Sequence, residues 1–186
     1  GSAFADATLR HLLDMQVSVD FIEDYLDKTG AFDRYRRATG WNPSAPGEPS
    51  GDLLSFMSTI QKGESEHGVN YAYRSPDTDL MGVVLERAGG DRFHRLLERY
   101  LWQPMGARSD AQITVDRIGT ARAAGGISVT THDMARVGEL VRQGGAGVIP
   151  ERWIADMWSG GSNAVWQRGG QTTLFPTGTY RSFWYT

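Results

Sequence analysis

The sequence predicts an α+β chain that is mostly α-helical, with β structure only near its end. Two patterns indicate this class. Apolar residues recur at helical spacing in several segments that begin at capping or proline residues and end at glycines. The last part of the chain is instead aromatic and β-prone, with Gly and Pro between its segments. We therefore expect a helical body followed by short strands.

The helical segments are expected wherever apolar side chains repeat every three or four positions. Thr8, Ser75, Asp91 and Thr131 stand where an N-cap would, and Pro150 opens the last segment. Glycine pairs end several of these segments. The expected helices are residues 8–13, 21–25, 53–60, 75–88, 91–101, 131–141 and 150–157.

The β-prone stretches are shorter and are separated by turn residues. Residues 40–51 are rich in Pro, Gly, Ser and Asn, which favours a loop, and residues 69–73 are expected to be extended. The expected strands are residues 113–115, 164–166, 172–175 and 180–185.

The composition excludes several functional classes. The chain has 186 residues, a formal net charge of −3 and no cysteine. Disulfide scaffolds, thiolate metal sites and cysteine nucleophiles are therefore excluded. The charge favours neither a nucleic-acid partner nor an anionic membrane. No apolar run approaches the roughly 20 residues of a transmembrane helix, so we expect no membrane partner.

The histidines do not predict a metal site. His11, His67, His94 and His132 show no zinc-type spacing. We expect them to be solvated on helix surfaces, with His132 in the first turn of a helix. We accordingly expect neither a metal nor a cofactor.

The segment around Tyr73 is the most informative for chemistry. Tyr73 lies two residues before Ser75, which precedes Pro76. This arrangement can direct a phenol and a hydroxyl into one cleft, or Tyr73 can be packed and Ser75 can be only a helix cap. Lowering a phenol pKa from about 10 to about 7 would require roughly 4 kcal/mol of phenolate stabilisation. Tyr25 and Trp41 lie near loops, where they can anchor the core or contact a substrate.

The order of several phrases resembles the serine β-lactamase-like hydrolases. Residues 8–15 resemble the segment that follows their nucleophile helix, and residues 73–82 resemble their Tyr-x-Asn or Tyr-x-Ser motif. Residues 125–136 are similar to the Gly-Gly-x-x-Ser/Thr-x-x-Asp-x-Ala-Arg segment of the class C group. The resemblance runs essentially from end to end.

This resemblance implies a fold and a mechanism. The fold is the DD-peptidase fold, with a helical domain beside an α/β domain and the active site between them. A serine in a Ser-x-x-Lys motif attacks an amide or ester carbonyl, and water releases the acyl group. Tyr73 takes the position of the catalytic tyrosine, Tyr25 that of a loop tyrosine that closes over the substrate amide, and Trp41 that of a pocket tryptophan. Ser75 takes the third position of the Tyr-x-Asn motif and is expected to contact the substrate.

The resemblance also implies that the chain is part of a longer protein. No Ser-x-x-Lys occurs in these 186 residues. We expect residues 1–160 to form the helical, substrate-covering domain and residues 161–186 to start the returning strands. The expected partners are a small amide or ester substrate and the α/β half of the parent protein. In some relatives an acidic side chain favours an ammonium-bearing substrate, but Arg36 takes that position here.

Three hypotheses about function follow. The first is a serine hydrolase whose nucleophile lies outside this chain, which leaves the isolated chain inactive. The second is a non-catalytic module that binds small amides or peptides. The third is a structural piece with an exposed apolar face that associates when isolated. For localisation, the resemblance favours the cytoplasm over export.

Overall fold

The computed structural model describes residues 2–44, 46–47, 51–169 and 175–186. Helices dominate and the strands are short, which agrees with the predicted α+β, mostly α class. A π-helical turn, Glu98–Trp102, extends the fifth helix. The elements are α1 (Leu9–Leu13), α2 (Ala31–Ala38), α3 (Leu53–Met57), α4 (Ser75–Gly89), α5 (Phe93–Leu97), β1 (Gln112–Ile113), β2 (Ile127–Ser128), α6 (Thr131–Arg142), α7 (Glu151–Ser159), α8 (Asn163–Gln167), β3 (Tyr180–Arg181) and β4 (Trp184–Tyr185).

The strands form two antiparallel pairs in the described residues. In the first pair, β1 and β2 align Ile113 with Ile127, and a further bridge joins Val115 to Ala121. In the second, β3 and β4 align Tyr180 with Tyr185, so the predicted β structure at residues 180–185 is a tight hairpin. Residues 172–174 of another predicted strand lie outside the described residues, and Phe175 is not in a strand.

Helix α1 begins as predicted, whereas α4 begins differently. The Thr8 hydroxyl accepts a hydrogen bond from the His11 amide, and the His11 ring accepts one from the Thr8 amide, which forms a reciprocal cap. In α4 the N-cap is Arg74, and Ser75 is the first helical residue. The expectation that Ser75 caps α4 was therefore wrong, because its hydroxyl donates to Glu23 instead.

The predicted helix at residues 21–25 is absent, and α2 lies about ten residues further along. Phe21 is buried while Ile22 is 77% exposed, which is the pattern of an extended segment. The Arg74 guanidinium donates a hydrogen bond to the Phe21 carbonyl, and the Leu26 amide donates one to the Asp24 carboxylate. These backbone groups are therefore satisfied without a helix.

Three further assignments near helix ends need correction. Thr130, and not Thr131, caps α6, because its hydroxyl accepts from the Asp133 amide. The N-cap of α5 is Arg92, and the Asp91 carboxylate accepts from the Arg92 amide. Residues 164–166 are helical and not a strand, because Ser162 caps α8. Intrinsic β propensity at Val-Trp is thus overridden by a local cap and by burial of Trp166.

The side chains of the core fall into three clusters. The largest joins α1–α4 with the segment around residues 17–21. A second cluster packs Met15, Tyr71, Trp166 and Tyr180 together, and a third lies between α6 and α7. The second cluster fixes the extended segment that leads to Tyr73.

The histidines are not all solvated, contrary to expectation. The His67 side chain is 3% exposed. Its Nδ1 accepts a hydrogen bond from the Ser18 amide, and its Nε2 lies 3.0 Å from an Asp6 carboxylate oxygen. His132 does lie in the first turn of α6, as predicted.

Among the described helices, none is both long enough and apolar enough to cross a bilayer. The division of the chain near residue 160 stays a prediction. Helix α8 and the β3–β4 hairpin both lie beyond that point.

Candidate active site

Glu23 is the centre of the candidate site. One of its carboxylate oxygens accepts hydrogen bonds from the Tyr25 hydroxyl at 2.7 Å and the Ser75 hydroxyl at 2.8 Å. The other accepts from the Ser75 amide at 2.7 Å. These bonds join the extended segment before α2 to the start of α4. Glu23, which the sequence analysis did not single out, therefore brings together Tyr25 and Ser75, which it did.

Tyr73 lies beside this cluster, at the end of the extended segment that precedes α4. Its ring is 37% exposed, so the phenol can meet a ligand. Burial raises the pKa of Tyr73, and the Glu23 carboxylate raises it further, while the Ser75 hydroxyl and the Arg122 charge act in the opposite direction. The balance keeps the phenol protonated at neutral pH. To serve as a base, Tyr73 needs a cation beyond those that these groups supply.

Tyr25 is suited to donate a hydrogen bond. Its ring is 56% exposed and packs edge-on against Phe32, with ring centroids 4.8 Å apart. Burial and the hydrogen bond to Glu23 raise its pKa far above the usual value for a phenol. The hydroxyl therefore keeps its proton over the physiological range, which is the state required of a hydrogen-bond donor.

Trp41 joins the site through Arg122. The Trp41 ring is 56% exposed, and the Arg122 guanidinium carbon lies 4.0 Å from its centroid. The same carbon lies 5.6 Å from the centroid of the buried Tyr35 ring. A guanidinium held against two aromatic rings is a cation–π arrangement, and it fixes both Arg122 and Trp41.

A buried network supports this arrangement from below. The Tyr35 hydroxyl donates to one Asp79 oxygen at 2.5 Å, and the Ala124 amide donates to the other at 2.8 Å. Tyr35 belongs to α2, Asp79 to α4, and Ala124 to the loop before β2. The network therefore ties together the three segments that carry the site.

The structure thus brings most of the sequence-predicted residues into one region. Tyr25, Ser75 and Tyr73 gather around Glu23, and Trp41 adjoins them through Arg122. Sequence reasoning missed Glu23 and Arg122. One signal pointed to Glu23: it stands two positions before Tyr25 in an extended segment, where alternate side chains point the same way.

No group of three or more His, Asp or Glu side chains is arranged to hold a metal ion within the part of the chain that the structure describes. The chemistry that these side chains offer is hydrogen bonding, proton transfer at a phenol, and cation–π contact.

Comparison with known proteins identifies the family of the chain. The beta-lactamase family model matches residues 1–184. A 6-aminohexanoate-dimer hydrolase from Paenarthrobacter ureafaciens is 35% identical over 189 residues, which cover 100% of this chain and 47% of that protein. The chain therefore spans about half the length of this curated relative.

Solved structures share the fold at lower identity. A structure from Bacillus anthracis, described provisionally as a 6-aminohexanoate-dimer hydrolase, has a TM-score of 0.82 at 19% identity and covers 98% of this chain and 48% of its own. A D-stereospecific amidohydrolase from Streptomyces has a TM-score of 0.62 at 15% identity, over 96% of this chain and 56% of its own. At these identities the likeness shows the fold alone. Taken with the match over residues 1–184, it means that the chain belongs to the beta-lactamase family.

Proposed function

We propose that this chain is the helical, substrate-covering part of a serine hydrolase that cleaves amide or ester bonds through an acyl-enzyme. The observation that carries the proposal is the cluster in which Tyr73, Tyr25 and Ser75 gather around Glu23. Membership of the beta-lactamase family supports hydrolytic chemistry for the parent protein. In this account the Ser-x-x-Lys motif lies outside these 186 residues, in the other half of the parent.

The proposed reaction assigns each residue a role. The serine oxygen forms a bond to the substrate carbonyl carbon, and its proton passes to the Tyr73–lysine pair. Tyr73 then returns a proton to the leaving nitrogen or oxygen as that bond breaks. Water repeats the sequence to release the acid. Tyr25 closes over the substrate amide and accepts from its N–H, since the single Tyr25 proton is donated to Glu23, while Trp41 and Ser75 line the pocket.

The raised pKa of Tyr73 explains why the other half is needed. In the described residues, burial and Glu23 oppose ionisation of this phenol. A lysine ammonium close to the phenol would offset both effects, at roughly 1.36 kcal/mol for each pKa unit. We therefore expect the 186-residue chain by itself to show no turnover.

The relative from Paenarthrobacter supports a linear amide as substrate, because its name describes the hydrolysis of an aminohexanoate dimer. A second candidate function is a binding module without catalysis. It is favoured by one observation, the absence of Ser-x-x-Lys from these 186 residues. The sequence of the parent protein upstream of residue 1 distinguishes the two candidates. A Ser-x-x-Lys motif there supports the hydrolase, and a parent protein that has no such motif supports the binding module.

The test uses the parent protein with a panel of nitrophenyl esters and linear amides. Tyr73→Phe is expected to lower kcat by at least about 100-fold, since a positioned acid–base group contributes about that much or more. Tyr100→Phe is the matched control, because Tyr100 is 65% exposed on the π-helical turn. Equal activity of Tyr73→Phe and Tyr100→Phe would refute the role given to Tyr73.

A further inference from the structure

Arg74 stands between Tyr73 and Ser75, but its side chain is directed away from them. Its backbone is extended, with φ −147° and ψ 114°, and successive side chains of an extended segment leave the backbone on opposite sides. The Ser75 hydroxyl donates to Glu23. The Arg74 side chain instead reaches the segment of residues 17–25, which connects α1 to α2 and carries Glu23.

The Arg74 guanidinium holds one edge of this segment. Its Nη1 donates to the Val17 carbonyl at 2.8 Å, its Nη2 to the Val19 carbonyl at 3.3 Å, and its Nε to the Phe21 carbonyl at 3.1 Å. These carbonyls belong to alternate residues, which point the same way along an extended chain. One planar side chain thus supplies the donors that a neighbouring strand would supply.

The opposite edge of the segment bonds to another part of the chain. The Gly63 amide donates to the Ser18 carbonyl at 3.1 Å, and the Asp20 amide donates to the Gln61 carbonyl at 2.9 Å. The three residues whose carbonyls meet Arg74 are at most 4% exposed, so water does not easily replace the guanidinium there. The segment is therefore held from both edges, and Arg74 is the support on the side of α4.

The charge of Arg74 is stabilised mainly by these carbonyls. The neighbouring Asp77 carboxyl is fully buried, and burial raises its pKa well above the usual value. A protonated carboxyl does not neutralise the guanidinium. Hydrogen bonds from an ionised donor are roughly twice as strong as those between neutral groups. The link from Arg74 to residues 17–21 is therefore firmer than an ordinary backbone contact.

Glu23 fixes the far end of the same segment. Its carboxylate accepts from the amide and the hydroxyl of Ser75, and the Tyr25 hydroxyl also donates to it. Two consecutive residues, Arg74 and Ser75, therefore hold the segment at two places, and Tyr73 immediately precedes them. The placement of the Tyr25 phenol relative to the Tyr73 phenol depends on both attachments.

We propose that Arg74 is a positioning residue that sets the placement of Tyr25 relative to Tyr73, by fixing residues 17–21 against the start of α4. It acts through Tyr25 and does not itself contact the substrate. This inference rests on the proposed function, in which Tyr73 transfers protons and Tyr25 accepts from the substrate N–H. An ester has no N–H, so a misplaced Tyr25 harms amide cleavage more than ester cleavage. The ratio of amide to ester hydrolysis therefore reports the placement of Tyr25.

The test compares kcat/KM of the full-length protein for hexanoyl p-nitroanilide and for p-nitrophenyl hexanoate. Arg74→Gln is expected to lower the amide-to-ester ratio about ten-fold, which is the contribution of about one hydrogen bond. Arg74→Lys should lower it about three-fold, because an ammonium lacks the planar fork that spans three carbonyls. Arg181→Gln is the matched control, because Arg181 is 19% exposed and pairs with Asp14 and Asp156, outside residues 17–25. It should lower both rates together and leave the ratio unchanged.

Hydrogen exchange at the Ser75 amide, measured by NMR on the same proteins, gives a readout that does not need turnover. This amide donates to Glu23 at 2.7 Å. If Arg74 holds the segment that carries Glu23, Arg74→Gln should speed exchange at Ser75 about ten-fold relative to the Leu140 amide in α6. Arg181→Gln should leave this relative rate unchanged.

Each result has a definite consequence. A folded Arg74→Gln protein with an unchanged substrate ratio overturns the proposal, even if Ser75 exchanges faster, and so does unchanged exchange at Ser75. An equal fall of the ratio in Arg181→Gln also overturns it. If Arg74→Gln does not fold, Arg74→Lys decides, and an unchanged ratio in that variant contradicts the proposal. If the unmodified parent cleaves neither substrate, the proposed function fails, and exchange at Ser75 alone decides whether Arg74 holds the segment.

Discussion

Replacing Glu23 tests the organisation of the site most sharply. Glu23→Ala removes the acceptor for the Tyr25 hydroxyl and for both donors of Ser75. Glu23→Gln keeps the shape of the side chain but replaces one carboxylate oxygen with an NH₂ group. The Ser75 amide can only donate, so the Gln oxygen must face it, and the two hydroxyls must then turn to accept from the Gln nitrogen. The alanine variant removes all of these hydrogen bonds, whereas the glutamine variant keeps them but reverses the direction of those to the two hydroxyls.

The magnitude follows from the burial of each partner. Tyr25 is 56% exposed, so water can replace Glu23 there at little cost. Ser75 is 5% exposed, so its amide and hydroxyl lose partners that water does not easily replace. An unsatisfied buried donor costs about 1–3 kcal/mol. We expect Glu23→Ala to lower the free energy of unfolding by about 2–3 kcal/mol and Glu23→Gln by about 1 kcal/mol.

The assay is urea unfolding at neutral pH, with Glu64→Ala as the matched control on an exposed glutamate. A control of this kind should change the unfolding free energy by less than about 0.5 kcal/mol. A second readout is the Tyr25 pKa, obtained from phenolate absorbance by difference against Tyr25→Phe. Glu23 is among the groups that raise this pKa, so both Glu23 variants should lower it. If Glu23→Ala unfolds like Glu64→Ala and Tyr25 titrates unchanged, Glu23 does not organise the site.

Three further predictions concern buried groups. Tyr35→Phe should cost about 1–3 kcal/mol, because it leaves a buried Asp79 oxygen without its donor, whereas Tyr100→Phe should be nearly neutral by the same urea assay. Stability should fall as pH rises above about 10, with a slope of up to about 1.36 kcal/mol per pH unit for each phenol affected. The reason is that the pKa values of Tyr35, Tyr71 and Tyr180 are all raised in the folded chain, first by burial, so the unfolded chain loses its phenol protons first. A urea midpoint that stays flat between pH 9 and 11 would contradict this reasoning. Asp77 is fully buried, neither of its carboxylate oxygens has a hydrogen-bond partner among the described residues, and burial raises its pKa well above the usual value. A carboxyl group whose pKa is raised in the folded chain lowers the free energy of unfolding as pH rises through the pKa of the unfolded chain. Asp77→Asn should therefore be more stable than the unmodified chain at pH 7 but not at pH 3. The opposite order would show that a charge stabilises the Asp77 carboxylate.

Most of the helices could be predicted because apolar spacing, cap residues and terminal glycines are signals carried by neighbouring residues in the sequence. The apolar stripe and the terminal glycines predicted where α4 lies, and Thr8 predicted where α1 begins. Helix α2 was missed because Arg34, Arg36 and Arg37 make the segment polar overall, which hides its short apolar stripe. Only the folded chain shows that Phe32, Tyr35 and Ala38 point into the core.

The site was predicted less completely because its contacts join distant segments. Tyr25 and Trp41 could be singled out because they lie near loops, Tyr73 by its spacing from Ser75, and all three by family resemblance. The role of Glu23 depends on an encounter with Ser75, which lies 52 residues away in sequence. The placement of Arg122 against the Trp41 and Tyr35 rings joins distant segments, and no periodicity in the sequence records that.

The central claim is that the parent protein forms an acyl-enzyme for which this chain supplies the tyrosines and the cover. Its most direct test is intact-protein mass spectrometry of the full-length protein, quenched soon after mixing with p-nitrophenyl acetate, followed by peptide mapping. We expect one acetyl group on a serine of a Ser-x-x-Lys motif outside residues 1–186, which accumulates and then decays as acetate is released. Product formation without any covalent adduct, or an adduct on a residue within this chain that turns over at the catalytic rate, would contradict it.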